Sequence, residues 1–163
     1  MTRSRPRLVG VVLSAAAAVA ASIVVAVSPA AAHSPYDACG SGYVQVAKPR
    51  AVKTSDGVRY GKVHLLYNND NGKNCVVTIK SRFHGKRTWT EAWIKVKGVE
   101  GPDRGWFSEY GNFRYYAGGL PQKKTIVFAK DKCVAFYGRI YSGKGGNGTV
   151  AEGGRLKMGN CGG

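Results

Sequence analysis

Acidic side chains are scarce in this 163-residue chain: 9 Asp and Glu stand against 25 Lys and Arg. Histidine is scarcer still, at 3 residues, His33, His64 and His84. Acid–base and nucleophilic catalysis draw on such groups, and neither G-x-S-x-G nor H-E-x-x-H occurs. No C-x-x-C pair exists and no histidine neighbours a cysteine, so nothing in the spacing predicts zinc or another metal. The glycine-rich stretch Gly143 to Gly148 lacks the Lys-Ser or Lys-Thr pair of a phosphate-binding loop. No cofactor is expected, and the chain reads as a binding or structural protein, not an enzyme. The alternative is a small secreted hydrolase such as a ribonuclease, using Glu91 or Glu109 with His64 and an arginine. Only the basic charge speaks for it.

A long mature apolar run is also missing; the only one lies at the start. Arg3, Arg5 and Arg7 precede a charge-free stretch from Leu8 to Val27, which ends in Ser28-Pro29-Ala30-Ala31-Ala32. Basic start, apolar middle and A-x-A spacing describe a signal peptide of residues 1–32. Cutting after Ala32 leaves His33 first in a single secreted domain, 33–163, without a stable membrane anchor. That domain keeps 22 Lys and Arg against 9 Asp and Glu, a net charge of +13. Such an excess draws a protein toward anionic cell-wall or spore-surface polymers, and toward nucleic acid only non-specifically.

Cys39, Cys75, Cys133 and Cys161 all follow the leader. An even count in an exported chain predicts two disulfides. Of three possible pairings, Cys39–Cys75 and Cys133–Cys161 are favoured because each closes a short loop.

No stretch after the leader carries ten residues of helical period. Val63, Leu65 and Tyr67 alternate with Lys62, His64 and Leu66, then Asn71-Gly72 marks a turn, then Cys75 to Lys80 returns as a strand. Thr88 to Val96, Trp106 to Ala117, Thr125 to Ala129 and Cys133 to Tyr141 read as further strands, the second bending at Gly111. Ser142 to Gly148 reads as a mobile loop. The expected fold is all-β, a small antiparallel sandwich or barrel with two disulfides.

The candidate ligand face lies on Thr88 to Val96. Trp89, Trp93, Lys95 and Lys97 share one side, and a neighbouring strand is expected to add Lys80 and Arg82. Aromatic and basic groups together suit sugars or phosphorylated polymers. The opposite set, Thr90, Ala92, Ile94 and Val96, is uncharged and is expected to face the core. Tyr110, Tyr115 and Tyr116 are also expected in the core.

Cys39-Gly40-Ser41-Gly42-Tyr43, Asn74-Cys75-Val76-Val77-Thr78, Gly111 to Gly118, Lys132-Cys133-Val134 and Asn160-Cys161-Gly162 together form a pattern over residues 36 to 163. It resembles the spore-associated protein A family of secreted actinobacterial proteins. The resemblance implies export and association with the spore or aerial-hypha surface. It carries over no catalytic residue.

Overall fold

The computed structural model describes residues 33–162; the leader segment 1–32 lies outside the described residues. One short helix, α1 (Pro35–Cys39), opens the domain. Ser34 caps it: its Oγ accepts from Asp37 N at 3.0 Å, and the Asp37 carboxylate accepts from Ser34 N, a capping box with Pro35 at its start.

Ten strands follow: β1 (Val44–Gln45), β2 (Arg50–Lys53), β3 (Arg59–Asn68), β4 (Lys73–Lys80), β5 (Thr88–Val96), β6 (Phe107–Phe113), β7 (Tyr116–Ala117), β8 (Ile126–Phe128), β9 (Val134–Tyr141) and β10 (Val150–Gly159). All pair antiparallel in one sheet, ordered β6-β5-β9-β10-β2-β3-β4-β7. β1 extends the β2 edge by pairing with β3, and β8 extends the β7 edge by pairing with β4. The sheet curls until its end strands, β6 and β7, come together, and so nearly closes into a barrel. The barrel alternative of the sequence reading is the observed one.

The β3–β4 hairpin forms where alternation and Asn71-Gly72 place it, with Asn68 opposite Lys73 and Gly72 at φ +67°. Inside the barrel Val63, Leu65, Val76, Ala92, Ile94, Phe136 and Ile140 are fully buried. Leu66, Cys75 and Val77, on the outside of the same hairpin, are buried too, because α1 lies over them with Ala38 and Cys39. Gly138 keeps the barrel narrow. A Cβ there would overlap Thr78 Oγ1 from the opposite wall and lie 3.1 Å from Val63 Cβ.

Closure is polar. β6 and β7 share no ladder; instead the chain itself crosses the gap at Arg114–Tyr115, where Lys80 N donates to Tyr115 O and Gly85 N to Arg114 O. Glu109 points inward from β6, only 4% exposed, and accepts from Gly118 N at 2.7 Å. Burial raises its pKa. Lys80, 2% exposed, reaches across from β4: its Nζ donates to Phe113 O at 2.7 Å, Lys86 O at 2.6 Å and Thr88 Oγ1 at 3.0 Å. Burial pulls its pKa to about 8, which still leaves it protonated at neutral pH.

Three local expectations need correction. The chain does not bend or bulge at Gly111, where the β5–β6 register runs unbroken; it turns three residues later, at Arg114 and Tyr115, where the seam is crossed. Residues 142–148 are a pinned β9–β10 connection: Gly143 N donates to Asn147 O, Gly145 N to Asn112 Oδ1, and Trp89 N to Gly143 O. Tyr110 is 51% and Tyr115 36% exposed, and Tyr116 is only half-buried. None is inside the barrel: Tyr110 stands on the outer face opposite Glu91, Tyr115 lies where the chain crosses the gap, and Tyr116, opposite Ile79, packs against the outer cluster under α1.

The disulfides are Cys39–Cys75 and Cys133–Cys161, the pairing the short loops favour. The first ties α1 to β4; the second ties the end of β10 to the start of β9. Replacing Cys39 and Cys75 together by alanine removes the constraint on a loop of 36 residues. The expected loss is about 3–4 kcal/mol in urea unfolding, on the chain-entropy account. Lys80→Met leaves two carbonyls and a hydroxyl without their donor, and is expected to cost about 2–4 kcal/mol in the same measurement.

Candidate binding face

β5 sorts its side chains as alternation demands. Thr90, Ala92 and Ile94 are 0% and Val96 1% exposed, inside the barrel. Trp89, Glu91, Trp93 and Lys95 point outward. Glu91 lies between the two tryptophans and is 7% exposed, an unusual place for a carboxylate on an outer face. Its two oxygens explain it: Oε1 accepts from Trp89 Nε1 and Oε2 from Trp93 Nε1, each at 2.9 Å. One acid thus fixes the orientation of both indoles.

Cross-strand neighbours complete the surface. On β6, Tyr110 stands opposite Glu91. Its ring centroid lies 5.8 Å from that of Trp89 and 6.2 Å from that of Trp93, nearly parallel to the latter at 19°. On β9, Arg139 stands opposite Glu91 and Tyr137 opposite Trp93. Arg139 Nε donates to Tyr137 Oη at 2.8 Å, and its Nη1 approaches Glu91 Oε2 at 3.9 Å. Tyr137 Oη donates in turn to Glu152 on β10. Burial, then the Glu152 carboxylate, pushes the Tyr137 phenol upward, so it stays protonated as a donor.

The β5–β6 connection arches over this surface. Asp103 accepts from Ser108 Oγ, and Arg104 takes a left-handed φ of +53°. Two hollows result, sharing Trp93, Asp103 and Arg104. One, of about 480 Å³, adds Trp106, Tyr137, Arg139 and Glu152. The other, of about 330 Å³, adds Trp89, Glu91 and Tyr110. The charged residues lining the pair are Glu91, Asp103 and Glu152 with Arg104 and Arg139, so the cleft has one acid in excess within a strongly cationic protein.

Of the residues singled out in the sequence, the structure puts Trp89, Trp93 and Lys95 on this face. Lys95 lies at its far end, where the Gly105 backbone packs over its ammonium. Lys97 is exposed in the turn just beyond β5. Lys80 and Arg82 are not here. β5 is flanked by β6 and β9, not β4, so Lys80 is inside the barrel mouth and Arg82 is exposed past the end of β4, with its guanidinium 5.5 Å from the Tyr60 ring and 5.6 Å from the Phe83 ring. Tyr110, Trp106, Tyr137, Arg139 and Glu152 take their places. The alternation of Tyr137, Arg139 and Tyr141 with Phe136, Gly138 and Ile140 carried a signal for the β9 members.

The residues of the hydrolase alternative are not assembled. Glu109 faces the barrel interior, Glu91 is held by its indoles, and His64 lies on β3 with Nδ1 3.0 Å from Gln45 Oε1. Burial, with Lys62 nearby, lowers the His64 pKa to about 4. The unfolded ring takes up a proton near 6.5 and the native ring only near 4, so this residue makes stability fall as pH drops through that window. Relative to wild type, His64→Gln is expected to flatten the acid-side decline in chemical-denaturation stability between these limits.

A comparison with known proteins can now be set beside this geometry. The chain is 34% identical over 139 residues to "Spore-associated protein A" of Streptomyces coelicolor, covering 81% of this chain and 79% of that protein. The chain belongs to the spore-associated protein A family. Neither an established family profile nor a solved structure matches it. Family membership agrees with the resemblance carried by the cysteine-centred motifs, and both disulfides those motifs surround are formed.

Proposed function

We propose that this is an exported spore- or cell-surface protein that attaches to wall material without catalysis, gripping carbohydrate in the cleft around Trp93. Its leader is removed after Ala32, and His33 to Gly163 is the working domain. The single observation carrying the carbohydrate reading is the pair of outward tryptophans locked by Glu91. Sugar rings present apolar C–H faces that stack on indoles, and hydroxyls that need fixed donors and acceptors. Trp89, Trp93, Trp106 and Tyr110 supply the faces; Asp103, Arg104, Arg139 and Glu152 supply the polar partners. Two hollows either side of Trp93 suit a chain of sugars better than a single one.

Family membership supports a spore location, since the Streptomyces coelicolor relative is named for one. The charge balance of the cleft favours a neutral glycan there. The excess of +13 on the domain then acts separately, holding the protein to anionic wall polymers through the rest of its surface. These two contributions respond differently to salt, because exposed charges are screened within about 8 Å at physiological ionic strength while stacked rings are not.

Retention on purified spore walls is the test. Raising salt from about 0.05 to about 0.5 M is expected to weaken retention steeply but incompletely. Trp89→Ala and Trp93→Ala are each expected to weaken binding of wall-derived oligosaccharides about tenfold or more, about 1.4 kcal/mol, with the domain still folded and its thermal midpoint lowered because Glu91 loses a donor. Unchanged oligosaccharide affinity in the double variant would remove the cleft as the sugar site.

A further inference from the structure

The segment where the leader gives way to the domain holds a second constellation. Ser34 is fixed by the capping box, so the residue before it is positioned by α1. That residue, His33, packs its ring 4.3 Å from Tyr115, and Tyr115 in turn lies 4.9 Å from His84. The two imidazole centroids are 5.9 Å apart. His84 Nε2 is buried with no hydrogen-bond partner among the described residues. Buried ring nitrogens are seldom left so.

We propose that the mature N-terminus binds one copper(II) ion through the His33 α-amino group, the His33 ring and the His84 ring. The inference rests on processing after Ala32, since only that cut turns the His33 amide nitrogen into an amine. Among the described residues no three metal-ligating side chains come together. The third donor is one that processing creates. An α-amine and the Nδ1 of the same histidine close a six-membered ring around a metal, and three nitrogens with room for water suit the tetragonal geometry of copper(II), which tops the divalent affinity order. The separation fits. A nitrogen–metal bond of about 2.0–2.1 Å puts each ring centroid about 3.2 Å from the ion, so two rings sharing it lie no more than about 6.4 Å apart. Tyr115 lies against both rings, and a hollow of about 240 Å³ lined by His33 and Tyr115, though not by His84, opens on the His33 side.

The precursor is to be secreted from its full-length chain, the mature mass measured, and copper(II) added while binding and the electron paramagnetic resonance spectrum are followed. One ion per chain is expected, with hyperfine coupling to three nitrogens and proton release on binding. His84→Ala should remove one coupled nitrogen and weaken affinity about tenfold or more; His33→Ala should break the chelate and weaken it further; His64→Gln should change neither. A mature chain beginning at another residue overturns the processing step and the site with it. A chain beginning at His33 that fails to bind, or whose binding is indifferent to His84→Ala, overturns the site and leaves the processing intact.

Discussion

Everything in this domain depends on how a sheet of unequal strands is brought round to meet itself. A sheet with free edges exposes rows of unpaired amides and carbonyls. Here β6 and β7 do not pair, so closure falls to the backbone bonds of Arg114 and Tyr115 and to two buried ionisable side chains, Lys80 and Glu109, which take up backbone groups at the seam. Burying a charge is costly unless its hydrogen-bonding capacity is used. Lys80 spends all three of its protons on two carbonyls and a hydroxyl, which is why a lysine can sit inside the barrel mouth. The outer surface of β5, β6 and β9 is continuous through their ladders, on the stretch of sheet that ends at this seam, and carries the Trp89–Trp93 platform.

The disulfides act at a different level. Cys39–Cys75 draws α1 over the outside of β4, so Leu66 and Val77 are buried on the side a thin barrel would leave wet. Cys133–Cys161 holds the last residues of β10 to the beginning of β9, across a register shift between Arg155 and Gly159. A domain of this size can build a core of its own, so the ties add to the interior and do not replace it. Covalent ties stand at both ends, with a narrow core between them.

Much of this was legible along the chain, and the limit of legibility is itself physical. Alternation in Thr88 to Val96 separates wall from surface correctly, because a strand's period of two is local. Asn71-Gly72 locates the first hairpin for the same reason. Strand order is not local. Nothing near Trp89 says that its neighbours are β6 and β9, so the local sequence points to Lys80 and Arg82, which do not border the face, and gives no pointer to Glu152, which does. Lys80 misleads for a second reason: its alternation with Val76 and Thr78 points inward, and its charge argues the opposite. The seam carbonyls that settle the conflict come from Lys86 and Phe113, which nothing in the neighbouring sequence places there. The tyrosines mislead by face, since Tyr110 and Tyr116 fall on the outward side of their strands, which only the pairing with Glu91 and Ile79 settles.

Glu91 links the fold to the reading of function. A carboxylate buried on an outer face costs stability unless its partners are fixed, and three groups converge on it: two indoles and the Arg139 guanidinium. A purely structural role for Trp89 and Trp93 would not require this, because tryptophans that only cover a sheet can settle in any well-packed rotamer. Holding both rings by one acid instead sets their planes before any ligand arrives, so little side-chain freedom is lost when a sugar stacks on them. The same acid offsets the guanidinium beside it, keeping the cleft from turning cationic in a chain with 25 Lys and Arg against 9 Asp and Glu. On the proposed carbohydrate reading, a face built rigid and close to neutral on a domain of strong positive charge divides the work of attachment: long-range attraction belongs to the lysines and arginines, and discrimination to the rings.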